Sequence, residues 1–342
     1  MTDKTTSPRP VIGRFAPSPT GHLHLGSLTT AVASFCHIKS LGGRWLVRME
    51  DVDFERCKPK YSTSILQDLE SLGLYWDDEV IFQSDRLAIY DDFIETIKPL
   101  TYACRCSRKQ ISQYFGNHPK SKVAPVIFSD VLRQMNAVEG LNTPPIYPRL
   151  CLHSHHKRQH LDSKIRLSLP DVLSGFYDGI QGVIWDNPAK SLGDVVIKRQ
   201  NDMVNYIFAC AIDDGLQNIS HIMRGLDIMP MTTAQLTINH AAHLPIADYF
   251  YHLPLLHNQN GQKLSKQNLA KPIKQSCPNN LLIHALTLLK QPIADDMADG
   301  TVGEILDFAI KHWDNQPLTH QHSLGTINDS RQDTITPDLN NF

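Results

Sequence analysis

The chain has 342 residues, 41% of them hydrophobic and 20% charged, with a formal net charge of −2. That is enough for a real core and more than one domain, and it excludes a disordered or fibrous protein. No apolar run reaches membrane-spanning length and the opening MTDKTTSPRP lacks the apolar segment of a secretion signal, so a cytoplasmic protein with no membrane partner is expected.

In chain order, PVIGRF (10–15) reads as a short buried strand. The following stretch bends on Pro17 and Pro19, while Gly21 and Gly26 let backbone come close to a ligand. From Leu25 the positions Leu25, Leu28, Val32, Phe35 and Cys36 keep helical spacing, closed by Leu41-Gly42-Gly43, and RWLVRMED is a second strand. Strand, helix, strand with such short connections predicts a parallel α/β unit.

STSILQDLESLGL offers Ser62 or Thr63 as a cap, a stripe at Ile65, Leu69 and Leu72, and Gly73 as a stop. Leu87, Tyr90, Ile94 and Ile97 mark another helix before Pro99. From Thr101 to Pro188 the pattern weakens among prolines, histidines and basic residues, which predicts an inserted subdomain. Regularity returns with the strand DVVIKRQ, the helix NYIFACAIDD, apolar nearly all round and therefore buried, and the helix TTAQLTINHAAHL. A loop carrying GQKLSKQN follows, then helices around NNLLIHALTLLK and VGEILDFAIKHW, and from Asp314 a polar, mobile tail. The expected division is therefore 1–100 for the first half of a core, 101–188 for the insert, 189–275 for the second half with the lysine loop, and 276–342 for a helical region and tail. No internal repeat is visible.

The helix that starts near Leu25 turns its free N–H groups and positive dipole end toward the proline bend, an anion site to which His24 can donate. Gly21 to Gly26 has the spacing of a P-loop, but Ser27-Leu28 stand where that motif needs Lys then Ser or Thr. A single His-x-Gly is usually a plain connector; the second element, KLSK at 263–266, changes the balance. Lys263 and Lys266 can fold over a triphosphate and stabilise charge as pyrophosphate leaves.

Together these residues resemble the two signatures of class I aminoacyl-tRNA synthetases, with HLGS (24–27) at the HIGH motif and KLSKQ at the KMSKS motif; Ser27 replaces the second histidine. GRFAPSPTGHLHLGSL, LVRMEDVDFER, NYIFACAIDD, IMRGLDI and KLSKQN, in that order, resemble the glutamyl branch. The resemblance implies a Rossmann-type parallel sheet core, split by a zinc-bearing insert and followed by a short helical region. It implies ATP with Mg²⁺ at His24, Gly26, Ser27 and Lys266, with His24, Lys263 and Lys266 catalytic. The glutamate positions carried over are Arg14, Phe15, Ala16, Pro17, Ser18, Glu50, Tyr206 and Arg224. Glutamate has two carboxylates and an ammonium, so Glu50 is assigned to the amine and the two arginines to the acids.

Only residues 271–342 follow the lysine loop, whereas full glutamyl-tRNA synthetases continue into a separate anticodon-binding region. The resemblance thus narrows to the glutamyl-Q tRNA(Asp) synthetases. That family activates L-glutamate with ATP without tRNA and transfers it to the queuosine base at the wobble position of tRNA(Asp). The alternatives are a truncated glutamyl-tRNA synthetase charging the tRNA 3′ end and a non-catalytic tRNA- or amino-acid-binding relic. A monomer is the expectation.

Seven cysteines without a secretion signal point to metal or core positions rather than disulfides. Read from the residues, Cys104, Cys106 and Cys151 with one of His153, His155 or His156 make a ligand set. The family pattern instead pairs Cys-x-Cys with Tyr-x-x-x-Cys, which implies Cys104, Cys106, Tyr147 and Cys151 on one structural Zn²⁺. The segment 107–146 between the pairs is longer than the family suggests, and Tyr114 is the competing tyrosine. His153, His155, His156 and His160, beside Lys157 and Arg158, read as a solvated basic surface. Cys36 and Cys210 fall on apolar helical faces and read as core.

Overall fold

Four buried residues, Ile12 to Phe15, form β1, the strand around which the site is arranged. The computed structural model describes residues 9–123, 125–126, 145–152, 163–258, 273 and 277–327. After β1 the strands in chain order are β2 (Arg44–Met49), β3 (Ile81–Phe82), β4 (Thr101–Cys104), β5 (Lys164–Leu167), β6 (Ser174–Asp178), β7 (Gly182–Asp186), β8 (Val195–Lys198), β9 (His221–Gly225), β10 (Tyr249–Leu253), β11 (Leu255–Asn258) and β12 (Ser323–Ile327). The helices of ten residues or more are α1 (Leu25–Ser40), α2 (Pro59–Ser71), α3 (Leu87–Thr96), α4 (Arg108–Asn117), α5 (Tyr206–Leu216), α6 (Thr232–Ala241), α7 (Pro278–Leu288) and α8 (Val302–Lys311).

Seven strands make one sheet in the order β3-β2-β1-β9-β10-β6-β7, parallel except for the β6–β7 hairpin. The chain leaves β1 toward β2 on one side and meets β9 on the other. The carboxyl ends of β1 and β9 therefore border the crevice in which open parallel sheets bind ligands. Alternation along the strands sorts the two faces. Phe15, Trp45, Val47 and Met49 pack with α1, α2, α7 and α8 in one core, whereas Ile12, Leu46, Ile222 and Phe250 form a separate cluster. Arg14 and Arg48, two residues on from Ile12 and Leu46, share that second face, toward α5. Close helix packing explains Gly13: a Cβ there would sit 2.3 Å from the Ile38 side chain.

The predicted elements are present, with three differences. Helix α2 begins at Pro59 with Lys58 as its N-cap, a turn before Ser62 or Thr63. Proline's fixed φ suits the first helical position, and Ser62 is buried instead of capping. Gly73 follows at a φ of 67°, the left-handed stop that was expected. The polar stretch after Asp314 is not simply a tail. Leu318 is fully buried in the α1 core, and β12 pairs in parallel with β11, which precedes the KLSK sequence in the chain.

The third difference concerns the insert. β4, β5 and β8 form a separate three-stranded antiparallel sheet, but β6 and β7, which lie before residue 188, belong to the main sheet. The division read at 188 thus does not fall at a change of sheet, because the chain visits the main sheet and then returns to the small one. No helix among the described residues is long and apolar enough to cross a membrane.

Candidate active site

His24 is the N-cap of α1, in extended backbone, where its side chain accepts from the Ser27 N–H. The contact is 3.3 Å to Nδ1, and Ser27 Oγ lies 3.0 Å from Nε2. The serine that departs from the family motif thus holds the first histidine. The proline turn before it offers carbonyls in place of missing donors: Pro17 O accepts from Glu50 N at 3.0 Å and Pro19 O from Lys58 N at 3.1 Å. Those two bonds tie the β1–α1 turn, with Ala16 half-buried and Ser18 at the surface, to the β2–α2 connection.

Arg14 is buried beneath this turn and grips Asp214 of α5 with two bonds, Nε to Oδ1 at 3.0 Å and Nη2 to Oδ2 at 3.2 Å. Arg48, fully buried, reaches the same carboxylate at 2.8 Å, and also Gln217 Oε1 at 2.8 Å and Glu50 Oε1 at 3.4 Å. The neighbouring Asp213 accepts from Gln83, Arg86 and Tyr90 at 2.9, 2.8 and 2.7 Å. Burial works against the Asp214 charge, but Arg14 and Arg48 outweigh it and hold its carboxyl well below the usual range. Glu50 goes the other way: burial raises its pKa, although Arg48 and Arg14 oppose the shift.

Arg224, near the end of β9, is equally buried but differently partnered. Nε donates to His252 Nε2 at 3.0 Å, Nη1 to Gln235 Oε1 at 2.7 Å and Nη2 to Thr232 Oγ1 at 2.8 Å. All three acceptors are neutral, and among the described residues Arg224 sits in no ion pair. Burial accordingly lowers its pKa. Tyr206, the first residue of α5 behind the Asn205 cap, touches the Met231 sulfur with its hydroxyl. Burial raises the tyrosine pKa, and Arg224 and Glu50 both act on it electrostatically.

The structure therefore brings Arg14, Glu50, Tyr206 and Arg224 to the carboxyl edge of β1, β2 and β9, beside His24, Gly26 and Ser27 at the start of α1, whereas Phe15 ends β1 with its ring in the opposite core, stacked on Trp45. Lys263 and Lys266 lie outside the described residues. Arg48, Asp213 and Asp214 were not singled out from sequence, yet they carried a signal. A strand otherwise apolar around Arg48, and a helix apolar nearly all round that ends in two aspartates, cannot bury those charges unpaired.

A second cluster lies at the small sheet. Cys104 ends β4, Cys106 is two residues on, and the sulfurs of Cys104, Cys106 and Cys151 lie within 4.8 Å of one another. Tyr147 Oη is 3.3 Å from the sulfurs of both Cys104 and Cys106, and Cys106 and Cys151 are 3.4 Å apart. Tetrahedral zinc with bonds of ~2.3 Å needs sulfurs about 3.8 Å apart, so this donor set fits with a slight expansion. Arg166 lies over the Tyr147 ring and donates to Cys104 at 3.3 Å, placing a cation beside ligands that must become anions. Burial opposes the Cys104 thiolate, but Tyr147 and Arg166 more than offset it and lower the pKa. Tyr114 is elsewhere, stacked on His118 with ring centroids 4.6 Å apart. His153, His155, His156 and His160 lie outside the described residues. Cys36 and Cys210 are buried, as their helical faces suggested.

Comparison with known proteins places these features. Residues 10–281 match the family of tRNA synthetases class I (E and Q), catalytic domain. The chain is 35% identical over 311 residues to the glutamyl-Q tRNA(Asp) synthetase of Methylococcus capsulatus, covering 90% of this chain and 93% of that one. It is 38% identical over 307 residues to the glutamyl-Q tRNA(Asp) synthetase of Neisseria meningitidis serogroup B, covering 88% and 95%. Among solved structures, the glutamate-tRNA synthetase of Elizabethkingia anophelis superposes with a TM-score of 0.72 at 23% identity, over 94% of this chain and 69% of that one, and so shares the fold.

Proposed function

From the premise that the chain belongs to the class I tRNA synthetases of the glutamate and glutamine branch, and there to the glutamyl-Q tRNA(Asp) synthetases, we propose that it joins glutamate to the queuosine base of tRNA(Asp). It is a ligase-type aminoacyl-transfer enzyme that activates glutamate. The finer reading has two steps. A glutamate carboxylate oxygen attacks the α-phosphorus of ATP and the bond to the β-phosphate breaks, which gives glutamyl-adenylate and pyrophosphate. A hydroxyl of the queuosine cyclopentene ring then attacks the acyl carbon, and AMP leaves.

The observation that carries the glutamate assignment is Arg224, a buried guanidinium that among the described residues hydrogen-bonds neutral groups alone. A carboxylate supplied by substrate completes it. Glu50 is the anion for the substrate ammonium, and Tyr206 borders the same space. Arg14 takes a lesser part than its resemblance implied, because Asp214 already takes two of its donors. It serves chiefly to shape the floor of the site. ATP, carried with Mg²⁺, lies over His24, Gly26 and Ser27, where the α1 N-terminus favours phosphate. Lys263 and Lys266 cover the leaving pyrophosphate.

Cys104, Cys106, Tyr147 and Cys151 are proposed as ligands of one structural Zn²⁺, which fixes the small sheet when bound. Metal analysis of the purified protein is expected to find about one zinc per chain, as a closed four-ligand site holds. Cys106→Ser should abolish that content and Tyr147→Phe should weaken retention against a chelator, while Tyr114→Phe changes neither. Equal retention in Tyr147→Phe and the parent would remove Tyr147 from the set.

The acceptor is tested by supplying labelled glutamate and ATP with tRNA(Asp), with and without queuosine, and with tRNA(Glu) as rival. Label on queuosine-containing tRNA(Asp) alone is the expected outcome. Label at the 3′ end of tRNA(Glu) would make the chain a shortened conventional synthetase, and label on neither would favour a binding role.

A further inference from the structure

The guanidinium left for substrate is supported from behind by a chain of buried groups across three neighbouring strands. Arg224 of β9 stands in register with His252 of β10, and Asp178 ends β6, the next strand over. Arg224 Nε lies 3.0 Å from His252 Nε2, and His252 Nδ1 lies 2.6 Å from Asp178 Oδ2. Asp178 and His252 are both fully buried. The aspartate is itself fixed by backbone N–H groups of Ile180 and Gln181 at 3.0 and 2.9 Å and of His252 at 3.1 Å.

We propose that Asp178 and His252 are positioning residues that hold Arg224 in register for a substrate carboxylate and give it a counter-charge without occupying its ligand-facing donors. The inference rests on the glutamate reading above and deepens it. A guanidinium can only donate, so His252 Nε2 must be the acceptor, and the one proton of the neutral imidazole is on Nδ1, given to Asp178. The carboxylate then acts on Arg224 through the ring. Burial disfavours a second proton on His252, and Arg224 disfavours it further although Asp178 opposes both.

The contrast with Arg14 gives the arrangement its purpose. Asp214 contacts Arg14 directly and takes two of its donors. At Arg224 the aspartate is one ring removed. Of five N–H groups on a guanidinium, three are used by His252, Gln235 and Thr232, and two remain without a partner among the described residues. A buried positive charge with spare, fixed donors discriminates a carboxylate from the corresponding amide, which returns no charge. Asp178 and His252 are thus specificity determinants for glutamate over glutamine that never touch the substrate.

Asp178→Asn is the informative substitution. It keeps the shape and, at Oδ1, the acceptor for the Ile180 and Gln181 N–H groups, but its amide donates toward Nδ1 and forces the proton to Nε2, where it faces the Arg224 N–H. A tautomer reversed in this way is costly where the ring must accept at one nitrogen. In glutamate- and ATP-dependent pyrophosphate exchange, the KM for glutamate should rise about tenfold or more, the scale of a lost supporting hydrogen bond, with the KM for ATP unchanged. Preference for glutamate over glutamine should narrow as well. Because the variant can lose folding, the parent protein is also measured. Ring nitrogen shifts of ¹⁵N-labelled His252 should report the Nδ1–H tautomer across neutral pH. The Nε2–H tautomer in the parent, an unchanged glutamate KM in Asp178→Asn, or parallel losses for both substrates and in Tm would overturn the inference. Absence of glutamate-dependent exchange in the parent would instead overturn the glutamate reading, and the proposed substrate of this chain with it.

Discussion

Replacing Arg224 by methionine is expected to lower kcat/KM for glutamate in pyrophosphate exchange by roughly 10²–10³-fold, while leaving the unliganded protein at least as stable. Truncating one partner of a buried charge pair costs about 2–5 kcal/mol of binding, and each 1.4 kcal/mol is about tenfold. The unliganded prediction has the opposite sign for a physical reason. Burial lowers the Arg224 pKa, so the free protein bears the cost of a desolvated cation with no anion in contact among the described residues. A neutral side chain of similar length removes that cost, and the lost hydrogen bonds to His252, Gln235 and Thr232 offset part of the gain. Thermal melting without ligand and exchange kinetics with a glutamate titration check the two halves together. A variant with near-normal glutamate kinetics would displace Arg224 from the substrate, and one that merely unfolds would give it a structural role instead.

Arg224 was legible in sequence only through the motif it stands in. The strand HIMRG does not reveal by itself whether its arginine is paired, because the partners His252, Gln235 and Thr232 come from later elements. The opening unit was easier to read. Two prolines, two glycines and an apolar stripe from Leu25 are local signals, and β1, α1 and β2 follow them. Helix α2 was read a turn late because Ser62 and Thr63 are good caps on propensity, whereas Pro59 sets the start by its fixed φ. Past Asp314 the composition is polar, and β12 exists through pairing with β11, far away in the chain. Long-range pairing of that kind leaves no mark in a short window. The family, by contrast, was legible almost whole, since five separated motifs in fixed order are far more specific than any one of them, and the match over residues 10–281 agrees.

The second large effect concerns the floor of the site rather than its mouth. Asp214→Ala should destabilise the protein by about 3–5 kcal/mol, because it strands the buried Arg14 guanidinium and removes the shortest ion pair of Arg48, which keeps only the longer contacts to Glu50 and Asp213. That is a large part of the ~5–15 kcal/mol on which a folded domain depends. The pH dependence has a definite sign. Burial raises the Asp214 pKa, but Arg14 and Arg48 depress it far more, so the folded value lies below the unfolded value of about 3.9. A group depressed on folding contributes stability that is complete above its unfolded pKa and is lost as pH falls toward the folded one. The parent should therefore lose stability as pH drops below about 4, and Asp214→Asn, which has no proton to take up there, should lose less over the same interval. Asp178 and other depressed carboxylates titrate in the same range in both proteins, so the difference between the two acid limbs isolates Asp214. Urea midpoints at neutral pH and through the acid limb decide it. Equal stability at neutral pH would mean that water for Arg14, and Glu50 and Asp213 for Arg48, balance these charges without Asp214, and identical acid limbs would mean that the aspartate is already protonated in the fold. In either case the contrast between Arg14, paired directly with a carboxylate, and Arg224, whose nearest described carboxylate acts through a histidine, would have to be redrawn, and the assignment of the substrate carboxylate with it.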